Sequence, residues 1–135
     1  MIDNAGPGYG SKVGWALSIL VTVALLANGL FSVLGQFFAP EAVAAMAQAG
    51  GFTMDQSVSV GVIMLICASV YLIPRTAVLG AILLTGFVGG AICTEYRIGL
   101  IFSVSQITNF LLGILPWAGL YLRDARVRAL LPLRS

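Results

Sequence analysis

The side chains best suited to chemistry in this sequence are amides and hydroxyls, and they recur at helical spacing in two apolar segments. They are Asn28, Ser32 and Gln36 in the first segment, and Ser105, Gln106 and Asn109 in the last. Residues four apart lie on one face of a helix, so each set forms a polar stripe. These groups can hydrogen-bond a carbonyl or hydroxyl of a ligand, but they cannot move protons by changing charge.

Metal chemistry of the usual kinds lacks its ligands in this chain. The sequence contains no histidine and two cysteines, Cys67 and Cys93. Histidine is the commonest ligand for haem, copper, zinc and non-haem iron. At 1.5 Å per residue, the cysteines lie about 9 Å and about 24 Å from the Pro74 end of their helices. That separation is too large for a disulfide. We therefore predict no metal site and no intrinsic cofactor.

The chain that carries these polar stripes has the composition of a membrane protein. Of its 135 residues, 59% are hydrophobic and 9% are charged, and the mean hydropathy is +1.02. A soluble domain carries roughly 25% charged residues. The basic residues cluster near the ends of apolar segments, which is typical of membrane topology and not of a nucleic-acid patch. We predict an integral membrane protein with lipid contacts and no nucleic-acid partner.

Four apolar segments are long enough to span a bilayer, or nearly so. In hydrocarbon only a helix satisfies its own backbone, so each segment is predicted to be helical. The predicted helices are at about residues 13–38, 56–73, 77–94 and 100–122. The predicted fold class is therefore all-α, an antiparallel bundle of four transmembrane helices.

The bundle is predicted to occupy residues 13–123, after a flexible arm at 1–12 and before an interfacial segment at 124–135. A short helix is expected outside the membrane between the first two spans. Pro40 suits its first turn, and Gly50 follows its end. Thr53 with a glutamine three residues later is a capping box that opens the second span.

The basic residues indicate the orientation of the bundle. With four spans, both termini lie on the same side as the turn at residues 74–76. That side holds six of the seven basic residues, and basic residues are retained in the cytoplasm. We predict a multi-pass protein of a bacterial cytoplasmic (inner) membrane, with both termini inside. The residues expected to anchor it to anionic lipid are Arg75, Arg123, Arg126 and Arg128.

The two polar stripes are expected to face each other in the outer half of the bundle. At 1.5 Å per residue, Asn28 lies about 22 Å up the first span and Asn109 about 20 Å up the fourth. Glu95 and Arg97 are expected nearby at the outer interface, as a solvated pair. One interpretation of the polar cluster is hydrogen bonding between helices, worth roughly 0.6–2 kcal/mol per contact. The other is a pocket for a quinone or a lipid headgroup, formed by Asn28, Ser32, Gln36, Glu95, Arg97, Gln106 and Asn109. No catalytic residue is assigned.

The third span carries a stripe of small side chains. Its members are Ala81, Thr85, Gly86, Gly89 and Gly90. In a membrane, small residues let helix backbones approach closely. The stripe is predicted to pack against the first and second spans, and the alternative is a docking face for a partner helix.

Three stretches of the sequence carry a family resemblance. They are YLIPRTAVLGAILLTGFVGGA from Tyr71, RIG from Arg97 and WAGLYLRDARVRALLPLR from Trp117. They closely resemble the DoxX-like membrane proteins, and a weaker likeness extends over the first span. The resemblance implies a four-helix bundle and an association with membrane redox systems, such as terminal oxidases and thiosulfate:quinone oxidoreductases.

The chain departs from that family pattern at its charged positions. Asn28 stands where relatives often have an acidic residue, and Ser32 where a basic residue often follows. Glu95 occupies the histidine position of a T-H-x-R pattern, and a family histidine early in the fourth span has no counterpart. The proton or metal chemistry that those groups support elsewhere is not expected here.

The expected function is therefore structural. We predict a small accessory subunit, not catalytic on its own, of a larger respiratory or photosynthetic membrane complex. It would stabilise the assembly or shape the access of quinone and lipid. Two alternatives remain open: a quinone-reactive subunit of a thiosulfate:quinone-type oxidoreductase, and a carrier for a small solute or lipid.

Overall fold

The structure is a computed structural model that describes residues 9–130. These residues form six helices: α1 (Tyr9–Phe38), α2 (Pro40–Ala49), α3 (Met54–Leu72), α4 (Ala77–Arg97), α5 (Val104–Arg123) and α6 (Ala125–Leu130). Helices α1, α3, α4 and α5 are long, while α2 and α6 are short. Between residues 9 and 130 the chain contains no β-strand.

The helix bounds differ from the predicted ones mainly at two starts. α1 begins at Tyr9, so the end of the predicted arm at residues 1–12 is helical. Residues 1–8 of that arm and 131–135 of the predicted C-terminal segment lie outside the described residues. α5 begins at Val104, later than predicted, because Gly99 and Phe102 adopt the left-handed backbone region, with φ of 80° and 55°. That region interrupts a right-handed helix.

Local signals at the helix ends behave as predicted. Pro40 lies in the first turn of α2, and Gly50 is its C-cap. The capping box of α3 forms in both directions. The Gln56 backbone N–H donates to Thr53 Oγ1 at 3.4 Å, and the Thr53 backbone N–H donates to Gln56 Oε1 at 2.9 Å. These bonds satisfy donors that a helix start leaves without partners.

The long helices form a ring in which each packs against two others. α1 and α4 each contact α3 and α5, and they lie at opposite corners with no Cα atoms within 8 Å of each other. Cross-helix contacts join the early part of α1 to the end of α3, as between Ser18 and Tyr71. Consecutive long helices therefore run antiparallel. By length and composition, α1, α3 and α4 are each able to cross a membrane, whereas α5 does not meet that criterion.

Helix α5 is tightly packed at one end only. We call the end of the bundle with the α3–α4 turn and Arg123 the arginine end, and the opposite end, with Glu95, the glutamate end. The core cluster includes Tyr71, Ala81 and Leu120, which are at most 1% exposed. By contrast, no residue of α5 before Pro116 is buried. The packing of α5 thus loosens towards the glutamate end.

The residues of the small-residue stripe on α4 differ in their burial. Ala81 is fully buried in the core, as predicted. Gly86, Gly89 and Gly90 are exposed, and an added Cβ at any of them would meet nothing within 4 Å. The predicted packing of these three glycines against the first and second spans is therefore wrong. No Cα atom of α4 comes within 8 Å of one in α1, and these three glycines leave open space beside α4. We call Gly86, Gly89 and Gly90 the glycine face.

A buried hydroxyl network ties three helices together at the arginine end. Tyr71 in α3 donates to the backbone carbonyl of Pro116 in α5 at 3.0 Å. Its hydroxyl also bonds Ser18 Oγ in α1 at 2.9 Å. Tyr71 and Ser18 are at most 2% exposed. Buried polar groups need such partners because an unsatisfied one costs about 1–3 kcal/mol.

The substitution Tyr71→Phe should therefore lower the free energy of unfolding by about 1–2 kcal/mol, because it leaves Ser18 Oγ without its cross-helix partner. Thermal unfolding in a mild detergent, followed by far-UV circular dichroism, measures the change. Tyr121→Phe is the matched control, since within residues 9–130 the Tyr121 hydroxyl makes no side-chain hydrogen bond to another residue. Equal unfolding midpoints for the two variants would contradict the role given to the network.

Candidate functional site

The most distinctive polar group of the structure is the carboxyl of Glu95, in the last turns of α4. Glu95 is only 9% exposed. Its Oε1 accepts a hydrogen bond from Asn109 Nδ2 at 3.0 Å and a second, short one from Ser105 Oγ. Both donors lie on one face of α5, four residues apart. The α4–α5 pair thus holds a carboxyl group inside the bundle.

The connection between α4 and α5 creates this arrangement. The left-handed backbone at Gly99 and Phe102 turns the chain back, and Ser103 then caps α5 by accepting from the Gln106 N–H at 3.1 Å. Gln106 in turn accepts from the Phe102 backbone N–H at 2.7 Å. The Gln106 side chain therefore bonds the loop between α4 and α5, and it does not bond Glu95. Ser105 and Asn109 are left to face the carboxyl group.

The second oxygen of this carboxyl group is unsatisfied. Glu95 Oε2 is shielded from solvent and has no hydrogen-bond partner among the described residues. A buried polar atom in this state costs about 1–3 kcal/mol, and more if it is charged. Such an atom calls for a specific explanation, and an unseen ligand is one of them.

A cavity of about 450 Å³ lies beside Glu95. It is bounded by α3, α4 and α5 and by the connection after α2. Its wall is mainly apolar, with Phe52, Val60, Ile63 and Phe87, and its polar members include Glu95 and Asn109. An apolar cavity with a few convergent polar groups is the usual form of a small-molecule site, and such sites measure roughly 300–1,000 Å³.

Comparison with known protein families identifies the fold. The DoxX-like family matches residues 16–119, from the early part of α1 to the last turns of α5. The chain belongs to the DoxX-like family. No curated protein matches the chain, and neither does any solved structure. Family membership and three apolar helices of spanning length together make this DoxX-like chain a membrane protein.

The predicted pairing of Glu95 with Arg97 is wrong for this DoxX-like protein. Arg97 is exposed, and within residues 9–130 it forms no ion pair with Glu95. Residues two apart on a helix point in different directions, so Glu95 faces into the bundle when Arg97 faces out. The α5 donors then satisfy one carboxyl oxygen.

The predicted cluster is brought together only in its α4–α5 half. Asn28 in α1 is exposed. Ser32 Oγ donates to the Asn28 carbonyl at 3.1 Å, and Gln36 Nε2 donates to the Val33 carbonyl at 2.9 Å. No Cα atoms of α1 and α4 lie within 8 Å of each other, and among residues 9–130 none of these three side chains bonds Glu95. Ser105, by contrast, joins the site although it was not among the predicted binding residues. Its spacing of four from Asn109 was the available signal.

The four arginines predicted to anchor this DoxX-like protein to lipid lie in two different environments. Arg75, Arg126 and Arg128 are exposed, as anchoring requires. Arg123 packs inward instead, with its guanidinium 4.4 Å from the Trp15 ring centroid and 5.3 Å from that of Tyr71. Cations are attracted to aromatic faces at these distances. Arg123 therefore links α5 to α1 and α3 at the arginine end.

Proposed function

We propose that this DoxX-like protein is a non-catalytic accessory subunit of a larger energy-converting membrane complex. Its glycine face would dock against a transmembrane helix of a partner subunit and so stabilise the assembly. The observation that carries the proposal is the open space at Gly86, Gly89 and Gly90, where an added Cβ meets nothing within 4 Å. These glycines lie in the apolar middle of α4, a helix long enough to cross the membrane.

The physical support comes from how helices associate in lipid. Lipid tails are as apolar as leucine, so burial does not drive helices together there, and close backbone contact does. Glycines spaced four apart, such as Gly86 and Gly90, permit that contact. The face is also next to the loosely packed start of α5, where no residue before Pro116 is buried. A partner helix would fill this open side of the bundle.

The proposal includes a membrane topology. α5 is taken as the fourth span, both termini as cytoplasmic, and the membrane as the bacterial inner membrane. Arg75, Arg123, Arg126 and Arg128 all belong to the arginine end or to α6 beyond it. This concentration of basic residues on one side supports a cytoplasmic location for that end. α2 and the glutamate end would then face outward.

Crosslinking from Cys93 tests the docking proposal. Cys93 is exposed one helical turn after Gly89, whereas Cys67 is buried, so a thiol-reactive photocrosslinker should label Cys93 alone. In native membranes we expect one crosslinked partner at fixed stoichiometry, joined through a membrane-spanning segment. Gly89→Leu should abolish that product, because the leucine prevents close backbone approach.

The matched control is Ala24→Leu, which places the same side chain on an exposed small position of α1. It should leave the crosslink unchanged. Two outcomes would count against the proposal. One is a crosslink only to a second copy of this chain, and the other is an equal crosslink in the wild-type and Gly89→Leu proteins.

A quinone-reactive subunit is the second candidate. It is favoured by the buried carboxyl of Glu95 beside an apolar cavity that a quinone ring could enter. Proton transfer by this carboxyl would give it a catalytic role. The accessory role remains our first proposal, because Ser105 and Asn109 are hydroxyl and amide groups that do not change charge.

A further inference from the structure

The cavity beside Glu95 has the construction of a binding site. Its polar wall includes a carboxyl group that is nine-tenths buried and whose second oxygen has no partner among residues 9–130. The remaining wall is largely formed by apolar side chains and glycines. A polar group is buried at a free-energy cost, and a hydrogen-bonding ligand would offset that cost.

The chemistry of the wall selects the class of ligand. A carboxylate oxygen accepts hydrogen bonds and repels anions, and no Lys or Arg among residues 9–130 lines the cavity. An anionic headgroup is thereby disfavoured. The apolar wall also disfavours a charged amine, because an ion loses its hydration there. A neutral molecule with an apolar body and a hydroxyl group satisfies both conditions.

Glu95 Oε2 is shielded in the structure, so a ligand hydroxyl reaches this oxygen when the Glu95 side chain turns. Glu95 lines the cavity, and its terminal torsion is soft, because the χ3 angle of glutamate has a broad distribution. Oε2 can therefore turn towards a ligand while Ser105 and Asn109 adjust on Oε1. The wall also includes the exposed glycines Gly86 and Gly90. They leave an opening on the exposed surface of α4.

We propose that this cavity binds a neutral lipophilic alcohol or phenol, whose hydroxyl donates a hydrogen bond to Glu95. Two membrane sources carry this chemistry, namely the phenolic headgroup of a reduced quinone and the glycerol hydroxyl of a neutral lipid. The inference goes beyond the docking proposal and does not depend on it. Gly89, which carries the docking test, does not line this cavity.

Paired probes test the hydroxyl directly. The full chain in detergent micelles is titrated calorimetrically with 4-hexylphenol and with its methyl ether, 4-hexylanisole. The phenol should bind about tenfold more tightly, as expected for a hydrogen bond to a buried oxygen that otherwise lacks a partner. In Glu95→Gln the preference should fall to near unity. The phenol-to-ether affinity ratio is compared between the wild-type and Glu95→Gln proteins in the same micelles. Differences in how the two probes partition into the micelles therefore cancel.

A second variant keeps the test valid if Glu95→Gln does not fold. Val60→Trp adds a large side chain to the α3 wall of the cavity and leaves the Glu95, Ser105 and Asn109 residues themselves unchanged, and it should abolish the binding of both probes. Ile107→Trp, on the exposed face of α5, should retain binding, as should Gly89→Leu. Equal affinity of the wild-type chain for phenol and ether would overturn the proposal.

A third probe distinguishes the two sources. 1-Monohexanoylglycerol presents glycerol hydroxyls on a short chain, whereas 4-hexylphenol presents a ring hydroxyl. Tighter binding of the phenol supports a quinol-like ligand, and tighter binding of the glycerol supports a neutral lipid. Failure of both to bind the wild-type chain overturns the proposal, and it leaves the Cys93 crosslinking result unaffected.

Discussion

Gly80→Ala should lower the free energy of unfolding by about 3 kcal/mol, because a single methyl group at this position overlaps the backbone of the next helix. A Cβ built on Gly80 would lie 2.7 Å from Tyr71 Cβ, and closer still to the Tyr71 backbone nitrogen and Cα. Backbone atoms cannot move aside as a flexible side chain can. The end of α3 and the start of α4 would have to separate, and the short turn between them allows little movement. Unfolding in mixed detergent and SDS micelles, followed by circular dichroism, measures the loss.

The matched control lies two turns further along α4. Gly86→Ala adds the same methyl group where nothing lies within 4 Å. Alanine favours a helix over glycine by about 1 kcal/mol, so the isolated chain should be unchanged or slightly more stable. If Gly80→Ala and Gly86→Ala unfold at the same SDS fraction, the contact between α3 and α4 is not as close as described.

The substitution Asn109→Leu should lower the free energy of unfolding by about 2 kcal/mol, because it removes one of the two donors to Glu95. Asn109 Nδ2 lies 3.0 Å from Oε1, and the other carboxyl oxygen already lacks a partner. Hydrogen bonds to charged groups contribute about 1.5–3 kcal/mol, and removing the donor leaves a buried acceptor less well satisfied. The same micellar unfolding assay reports the change.

Asn28→Leu provides the comparison, since it makes the same substitution at nearly the same expected membrane depth. The Asn28 side chain is exposed and bonds no other helix in the described part of the chain. Surface substitutions of this kind usually alter stability by less than about 0.5 kcal/mol. If Asn28→Leu and Asn109→Leu lowered the free energy of unfolding by similar amounts, the role given to the hydrogen bond between Asn109 and Glu95 would be wrong.

The two ends of the bundle point to different tasks. The arginine end is held by the Tyr71 hydroxyl network, the Arg123–Trp15 contact and the close approach at Gly80. The open glycine face in the middle of α4 and the Glu95 cavity lie beyond these contacts, towards the glutamate end. A well-packed end can hold the helices in place while the open end accepts a ligand or a partner. Both proposals made above concern the open end.

The sequence alone determined the features that depend on neighbouring residues. Pro40 and Gly50 set the limits of α2, and Thr53 with Gln56 set the start of α3. Each of these signals acts over a few residues through a fixed backbone angle or a local hydrogen bond. The membrane character followed from composition, because an apolar chain with 9% charged residues is unlike a soluble domain.

Only the tertiary structure shows which face of each helix packs against the rest of the bundle. α4 is apolar on nearly all sides, so no contrast between polar and apolar faces shows which side meets the bundle. Counting 1.5 Å per residue gave the depths of Asn28 and Asn109 but not their directions. Only the ring of helices, with α1 and α4 at opposite corners, separates Asn28 from Glu95. The same arrangement turns Gly86 outward and encloses Glu95, because these contacts join residues far apart in the chain.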